Sequence, residues 1–400
     1  MNAKKILWSM AFAQFLVMQV WFNFSAIMPV IEMEWGLTAS QSGFIIASFQ
    51  VGYVVAIIIY SVLIEKYNPK SFFVYGAFVA GISGIAFAFF AQGFWISLLL
   101  RFLSGIGVAG IYVPGVRLLT GLFPPKERGK VIGIYVGSLV VGSGFSLFVS
   151  SLLLEELGWQ GVILLTSFFS IVAACLVNRL KVPSVGISPI PIKIQWHVLK
   201  KVFRKQNLLV NGGYAGHSWE LYAIWAWIGP FFVYYFTTKG FNQADAIQYG
   251  NMVGAIVIMI GGIATYLGGK LSDSIGRIKA ANLFLFISIT CSLSIGWAVS
   301  LPILLMLVFV LIYGFAIVAD SPIYNVTVIE VSEPEIIGLS LGIQSVLGFA
   351  VTIFSPLVFG IVLQSYGWGM AFFVIGAGTL IAPICMLLLS KLQSSVDVSN

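Results

Sequence analysis

The stretch RGKVIGIYVGSLVVGSGFSLFVSSLLLEELGW, residues 128–159, resembles IGLSLGIQSVLGFAVTIFSPLVFGIVLQSYGW, residues 337–368, without a gap. The two stretches stand 209 residues apart, and each ends in a Gly-Trp pair that begins at Gly158 or Gly367. Further matches at nearly the same offset pair Gly129 with Gly338, Gly133 with Gly342, Gly105 with Gly314 and, at 208 residues, Glu65 with Asp273. Several matches in one register rarely arise by chance, so the chain is predicted to consist of two similar halves related by a parallel repeat.

Composition places the protein in a membrane. Of the 400 residues, 59% are hydrophobic and only 9% are charged, and the mean hydropathy is +1.01. Soluble domains carry about 25% charged residues, so the sequence predicts an integral membrane protein that contacts the lipid bilayer. The net charge of +7 does not indicate a nucleic-acid partner, because the positions of the basic residues explain the excess. The three cysteines fall in apolar segments without metal-ligand spacing and are interpreted as packing residues.

Apolar stretches of at least about 20 residues, the length that crosses a bilayer as a helix, recur along the whole chain. Twelve are found, near residues 6–31, 39–64, 71–92, 95–122, 130–154, 159–180, 208–236, 243–268, 279–299, 301–328, 337–363 and 368–390. The predicted fold is therefore all-α, with twelve transmembrane helices in two six-helix bundles. The predicted domains are residues 1–180, a linker at 181–206, and residues 207–400.

The linker opens with three prolines and continues into an amphipathic helix from about Ile194 to Lys205. One side of this helix is apolar and the other is basic, which suits a helix that lies on an anionic inner leaflet. The alternative interpretation is a solvated basic linker in which His197 is a surface residue.

The basic residues predict the orientation. When the loops are numbered alternately from the N-terminus, one set holds 18 of the 21 lysines and arginines, and only Lys239 falls in the other set. The remaining two, Arg101 and Arg117, lie within the fourth span. Basic loops face the cytoplasm, so both termini are predicted to be cytoplasmic and the protein to be a multi-pass protein of the inner cell membrane.

Four motifs carry a family resemblance. GKLSDSIGRI (269–278) resembles the loop signature of the major facilitator superfamily, and SVLIEKYNPK (61–70) is a degraded first-half copy in which Glu65 takes the place of the aspartate. RFLSGIGVAG (101–110) and FPPKERGKVIG (123–133) are similar to the superfamily's fourth-span pattern and to its loop into the fifth span. The resemblance covers the whole chain and implies a secondary transporter that works by alternating access, with its solute site at mid-membrane between the two bundles.

A finer resemblance points to one branch. WELYAIWAW (219–227) resembles the branch that contains cyanate and nitrate/nitrite porters, although the glycine-rich nitrate signature with asparagine is not evident in this chain. Proton-coupled exporters of the superfamily usually carry a glycine-proline pair and paired glycines in the fifth span. This chain has Ser146-Leu147 and Ser150-Ser151 at those positions, which disfavours a drug antiporter.

Polar residues inside the spans are the candidate site, because buried ionisable groups in membranes are expensive and functional. The candidates for binding solute or protons are Gln19, Trp21, Asn23, Arg101, His217, Glu220, Tyr222 and Asp320. Glu220 precedes Pro230 by ten residues, which places it ~15 Å deep at about the bilayer centre. When Pro29 is aligned with Pro230, Gln19 falls on Glu220 and Trp21 falls on Tyr222, so both halves offer a polar group beside an aromatic one.

Several of these residues have a second interpretation. Glu220 is expected either to face a hydrated cavity or to form an ion pair that holds helices together, such as one with Arg101. His217 is either a functional group or a packed histidine that bonds a backbone carbonyl, and Arg101 either attracts anions or joins helices. Asp320 belongs to an inner gate or to a proton route, and Pro322 is expected to weaken the helix beside it. Trp225 and Trp227 are expected near the outer lipid interface.

A cytoplasmic gate is predicted at the inner ends of the spans. It comprises Glu65, Arg117, Asp273 and Arg277, together with an acidic loop of Glu330, Glu333 and Glu335. Such contacts hold the inner ends together when a carrier opens outward.

The sequence thus predicts a secondary active transporter that moves a small polar solute, a small organic or inorganic anion, by proton-coupled symport. One alternative is a proton-coupled exporter of hydrophobic or cationic compounds, and a remote one is an intramembrane sensor or enzyme. No nucleotide-binding loop is present, and the pair His217 and Glu220 supplies too few ligands for a metal. The protein is expected to be a monomer and not an enzyme, with no cofactor, no nucleic-acid partner, and protons as its coupling ion.

Overall fold

The computed structural model describes residues 2–64, 66–182, 200–333 and 336–397. Within these residues the secondary structure is helical. The helices are α1 (Ala3–Trp35), α2 (Ala39–Leu63), α3 (Pro69–Phe90), α4 (Phe94–Ala109), α5 (Tyr112–Leu122), α6 (Pro125–Arg179), α7 (Lys205–Thr238), α8 (Gln243–Met259), α9 (Gly261–Ile275), α10 (Arg277–Ile295), α11 (Ile303–Ala319), α12 (Ser321–Val331), α13 (Ile337–Thr379) and α14 (Ile381–Asp397), with a short 3₁₀ helix at Ala298–Ser300. The predicted gate residues Glu65 and Glu335, and residues 194–199 of the predicted linker helix, lie outside the described residues.

Two helices are too long for one crossing, and each contains a kink at a glycine. Helix α6 has 55 residues, about 80 Å at the usual rise, against a hydrocarbon core of about 30 Å. It turns at Gly158 (φ 64°), and α13 turns at the repeat-equivalent Gly367 (φ 78°). Only glycine adopts such a φ readily. In the described part of the chain, nine apolar segments are long enough to span a membrane. Two of these are of double length, so the nine segments correspond to eleven crossings, and α7, with 34 residues, is long enough for a twelfth. The predicted twelve-span all-α fold is thus confirmed.

The fourth and tenth spans also break at equivalent places. The fourth span is divided into α4 and α5 at Gly110 and Ile111, and the tenth into α11 and α12 at Asp320. Ile111 and Asp320 are 209 residues apart, the same offset that relates Gly158 to Gly367. A proline follows each break, Pro114 in the first half and Pro322 in the second. Because proline lacks an N–H group, it removes one hydrogen bond from the helix and weakens it there.

The chain forms two compact units. Unit 1 comprises Met1–Ile190 and Trp225–Met259. Helix α1 packs along α6, and α2 and α3 pack against α4. Helix α8 also lies on α6, and its Asn251 donates a hydrogen bond to the backbone oxygen of Ala26 at 2.9 Å. The first unit therefore includes part of the second sequence half.

Unit 2 comprises Pro191–Ile224 and Ile260–Asn400. It includes the N-terminal part of α7 and helices α9 to α14, and a small core forms where Leu285 and Ile289 of α10 meet Ala382 of α14. The units differ from the predicted domains by the assignment of residues 225–259. The predicted boundary at 181–206 falls largely outside the described residues and stays a prediction.

Glycines allow helices α2 and α4 to pack closely. A Cβ placed on Gly105 would overlap the carbonyl oxygen of Phe49 in α2, and one placed on Gly52 of α2 would overlap that of Phe102. The two helices thus meet backbone to backbone at reciprocal glycines, which is the usual function of small residues in membrane helix contacts.

This contact gives a stability prediction. Gly105→Ala should destabilise the protein by about 1–3 kcal/mol, because an extra methyl group forces the packed backbones apart. Gly137→Ala is the matched control, since Gly137 lies in the interior of α6 and nothing lies within 4 Å of its added Cβ. Thermal melting of the two purified variants in the same detergent checks this. Equal melting temperatures would show that the glycine contact does not constrain the packing of α2 on α4.

Candidate functional site

Arg101 of α4 is buried inside unit 1, with 5% of its surface exposed. Its guanidinium donates hydrogen bonds to the backbone oxygens of Val20 and Trp21, each at 2.9 Å. A third bond reaches the side-chain oxygen of Asn23 at 3.1 Å. All three acceptors lie on α1, so the side chain joins the fourth span to the first. Sequence position placed Arg101 and Asn23 among the candidates, and the structure brings them together.

Aromatic faces cover the same guanidinium. The ring centre of Phe49 lies 4.5 Å from the guanidinium carbon (Cζ) of Arg101, and the ring centre of Phe24 lies 5.8 Å from the same atom. Both separations suit cation–π attraction. Asn23 is itself held, because its amide donates to the hydroxyl of Thr166 at 3.0 Å. The arginine therefore occupies a rigid cage of carbonyl oxygens and ring faces.

The charge of Arg101 has no acidic partner. Among the described residues, no carboxylate lies within ion-pairing distance of its guanidinium, and its Nε atom has no hydrogen-bond partner. A cavity of about 10 Å³ adjoins it, lined in part by Ser104 and Phe87, which is close to the smallest cavity that holds one water molecule. Neutral oxygen atoms accept hydrogen bonds from Nη1 and Nη2 of Arg101, while its positive charge stays uncompensated.

Glu220 of α7 is buried in unit 2, with 1% of its surface exposed. One carboxylate oxygen accepts a hydrogen bond from Tyr313 of α11 at 3.1 Å, and the other accepts one from Ser288 of α10 at 3.0 Å. The Ser288 hydroxyl also lies 3.2 Å from the backbone oxygen of Leu285. A hydroxyl carries one proton, so Ser288 either donates a hydrogen bond to the ionised carboxylate, or donates to Leu285 and accepts a hydrogen bond from the protonated carboxyl group. This network therefore accommodates both the ionised and the protonated form of Glu220.

His217 forms a second polar cluster in unit 2. Its Nδ1 atom lies 2.9 Å from a carboxylate oxygen of Asp320, and its Nε2 atom lies 2.7 Å from the hydroxyl of Ser321. The rings of Tyr214 and Tyr324 pack on the imidazole, with centres 5.9 and 5.6 Å away. The partners of His217 are thus an acid and a hydroxyl, where sequence reasoning had weighed a backbone carbonyl. His217 and Asp320, which are far apart in the sequence, thus lie in contact inside the unit, although among the described residues neither carboxylate oxygen of Asp320 has a partner in hydrogen-bonding geometry.

The other candidates make packing contacts. Gln19 donates to the backbone oxygens of Phe15 and Gly142, at 3.1 and 3.0 Å. Trp21 packs its ring on Phe49 and Tyr53, with centres 5.4 and 5.0 Å away. Tyr222 lies against Phe349, with ring centres 5.8 Å apart.

The predicted gate residues lie at the ends of the helices. Arg277 contacts Asp273 and lies 3.1 Å from a carboxylate oxygen of Glu330, and Arg117 is exposed on α5. Glu333 pairs with Lys201 at 2.7 Å and with Arg204. The hydrogen bond from Lys201 and the charge of Arg204 lower the pKa of Glu333. The end of the linker is thereby tied to the loop after α12.

Sequence reasoning missed the hydroxyl partners and misplaced two tryptophans. Ser288 and Tyr313 were not singled out, although polar side chains in apolar helices mark hydrogen-bond contacts between helices. Trp225 and Trp227 were expected at the outer lipid interface, but both are buried, with 3% and 1% of their surfaces exposed. Trp225 packs edge-on against Phe22 of α1, with ring centres 5.9 Å apart. The reason is that the C-terminal part of α7, from Trp225 onward, belongs to unit 1 and is covered by it.

Relatives share parts of this sequence. The nitrate/nitrite transporter NrtP of Picosynechococcus sp. is 39% identical over 144 residues, which cover 36% of this chain and 27% of that protein. The probable sulfoacetate transporter SauU of Cupriavidus necator is 25% identical over 296 residues, which cover 68% of this chain and 66% of that protein. The chain thus spans about a quarter of the length of the first relative and just under two-thirds of the second.

The fold has a close structural match. A bacterial homologue of the human lysosomal transporter Spinster, in an inward-facing and unoccupied conformation, superposes with a TM-score of 0.80 at 16% identity, over 97% of both chains. The family model described as Major Facilitator Superfamily matches residues 10–356. This match extends from the first span into the eleventh and includes the polar clusters on α4, α7 and α11. The protein is therefore a multi-pass membrane protein, and the chain belongs to the Major Facilitator Superfamily.

Proposed function

We propose that this protein is a proton-coupled secondary transporter that moves a small organic or inorganic anion by alternating access. The observation that carries the proposal is the buried guanidinium of Arg101, which the described residues supply with carbonyl oxygens and aromatic faces but with no carboxylate. The predicted location is the inner cell membrane with both termini cytoplasmic, and a monomer is the expected state.

The unneutralised charge favours an anionic solute. A buried charge without an opposite charge is costly, and a bound anion would remove part of that cost. The two relatives support the same class, because the names of NrtP and SauU specify nitrate, nitrite and sulfoacetate, which are all anions.

The acidic groups support protons as the coupling ion. Glu220 is buried among hydroxyl groups that suit either of its protonation states. Asp320 is already paired with His217. A cationic solute would need a carboxylate kept ionised and accessible. Glu220 is 1% exposed and has two hydroxyl partners, so the geometry suits a proton better than a bulky cation.

The first prediction concerns Arg101. Nitrate and sulfoacetate are the probes, and their binding to purified protein is measured by thermal shift and by counterflow of the labelled anion. Arg101→Gln should weaken binding of the anion that the wild type takes by about tenfold or more, because charged hydrogen bonds to a buried anion contribute about 1.5–3 kcal/mol. Arg101→Lys should also be impaired, since an ammonium group cannot reach both carbonyl oxygens of α1 as the planar guanidinium does.

The matched control is Arg128→Gln, which removes the same charge from the start of α6, where Arg128 bonds the carbonyl of Phe123. It should bind the anion as the wild type does. Two results would contradict the assignment: stabilisation of the wild type by organic cations but by no anion, or unchanged anion binding by both Arg101 variants.

The second prediction concerns Glu220. In proteoliposomes, Glu220→Gln should lose accumulation driven by an imposed pH gradient but keep exchange of labelled for unlabelled anion. The reason is that exchange needs no net proton movement, whereas glutamine cannot carry a proton. Ser288→Ala keeps the carboxylate and is expected to shift the pH dependence of uptake without abolishing it. If Glu220→Gln accumulates the anion as the wild type does, Glu220 is not the coupling residue.

A further inference from the structure

Three helices of unit 2 leave a groove between them. Helices α9, α10 and α11 pack against one another. Helix α9 meets the C-terminal end of α11 backbone to backbone, because a Cβ placed on Gly268 would overlap the carbonyl oxygen of Ala319. The groove lies beside the preceding turns of α11, from Val308 to Ala316, and has a volume of about 370 Å³.

The groove is apolar. Every described residue that lines it has an apolar side chain, and the set includes Phe284 and Ile287 of α10 and Val308, Leu311, Ile312 and Phe315 of α11. The rings of Phe284 and Phe315 pack together, with centres 6.2 Å apart. Because these side chains offer no hydrogen-bond partner, the groove does not suit a polar solute.

Part of the groove wall is exposed on a helix that spans the membrane. Val308 and Ile312 each have 49% of their surface exposed, and both lie in the spanning segment Ile303–Val331. An empty groove would deprive these side chains of dispersion contacts, and water would find no polar partner in it. Its volume is within the range of about 300–1,000 Å³ that holds a drug-sized molecule, a size class that includes a single acyl chain.

Two lysines flank the short connection between α9 and α10. Lys279 precedes the groove residue Phe284 by five residues, ~7.5 Å along α10, and Lys270 follows the groove residue Ile260 by ten residues, ~15 Å along α9. Half of the hydrocarbon core measures about 15 Å, and lysine side chains extend towards the headgroups. Both lysines therefore suit the predicted cytoplasmic surface when the groove lies at mid-membrane.

Both lysines are free to meet a ligand. Lys270 and Lys279 are exposed, and within the described part of the chain neither belongs to an ion pair. Asp273, the acid between them in the sequence, contacts Arg277 instead. Basic side chains beside a pocket between transmembrane helices on the cytoplasmic side are typical of sites for anionic lipid headgroups.

We propose that the groove between α9, α10 and α11 binds one acyl chain of an anionic phospholipid from the cytoplasmic leaflet, and that Lys270 and Lys279 hold its headgroup. The acyl chain fills the apolar volume. The two ammonium groups supply the charge that distinguishes an anionic lipid from a zwitterionic one. This site contains none of the residues proposed above to bind solute or protons, so it does not depend on the identity of the solute.

Native mass spectrometry tests the site on the full-length protein, titrated in detergent with phosphatidylglycerol or phosphatidylcholine. The wild type should bind one phosphatidylglycerol about tenfold or more tightly than phosphatidylcholine, because each lysine near an anionic headgroup contributes about fivefold. The double variant Lys270→Gln/Lys279→Gln should lose this preference. Lys66→Gln/Lys130→Gln is the matched control, since it removes the same charge from exposed positions of unit 1, and it should keep the preference.

A larger side chain in the groove tests the position of the acyl chain. Ile312→Trp should weaken binding of phosphatidylglycerol about tenfold, because excluding two methylene groups from an apolar site already costs about that much. Val308→Trp serves the same purpose if the first variant does not fold. Leu304→Trp adds the same ring at an exposed position of α11 that does not line the groove, and it should bind the lipid as the wild type does.

Three results would overturn the proposal. The first is equal binding of the two lipids by the wild type. The second is wild-type binding of phosphatidylglycerol by the lysine double variant or by both tryptophan variants of the groove. The third is a wild-type dimer that Ile312→Trp converts to a monomer while lipid binding stays unchanged, because the groove would then hold a second copy of the chain.

Discussion

A charge inside a membrane is costly, and this constraint explains what surrounds each buried ionisable group of the protein. Insertion scales assign about 2.5–3.5 kcal/mol to one charged residue at the centre of a spanning helix. Arg101, Glu220 and Asp320 each meet this cost in a different way. The arginine is surrounded by backbone oxygens and ring faces, the glutamate by hydroxyl groups, and the aspartate by an imidazole.

These surroundings differ in the charge and hydrogen-bonding capacity that each buried group keeps. Carbonyl dipoles and aromatic faces satisfy a guanidinium without cancelling its charge, so the field of Arg101 remains able to attract an anion. Hydroxyl groups can reverse their hydrogen bonds, so Glu220 keeps a choice between two protonation states. An imidazole has two ring nitrogens, so His217 can contact Asp320 and Ser321 at the same time. The residue types that solve the burial problem thus also determine what each site can bind.

The twelve-span, two-half architecture could be predicted from the sequence, because it depends on apolar stretches and glycine positions that recur along the chain. Apolar length gave the twelve spans, and the register of the two halves placed Gly158 and Gly367 at equivalent positions, where the structure has equivalent kinks. The composition of the site was partly predictable, since a charge in an apolar span stands out. Its contacts were not. Arg101 donates to two backbone oxygens, and every residue has such an oxygen, so the residue types could not identify these acceptors. Ser288 is one of many serines in the spans, so the sequence could not single it out as a partner of Glu220.

The sequence also did not show which helices pack against each other. Glycines such as Gly105 indicate that some helix approaches closely, but which helix does so depends on the tertiary arrangement. The tryptophans at 225 and 227 have the position expected of an interfacial belt, and only the assignment of residues 225–259 to unit 1 shows that they are covered by protein. Local patterns therefore identify the residues that matter, and the pairing between distant segments determines what they do.

The two halves use one architecture for two kinds of charge. A guanidinium keeps its proton throughout the physiological range, so Arg101 can attract an anion across that range but is not suited to carry a proton. Carboxylates and histidine gain and lose protons, so they can couple transport to a gradient but would repel an anion while ionised. Placing the fixed positive charge in the first repeat and the titratable groups in the second lets each be tuned by its own surroundings.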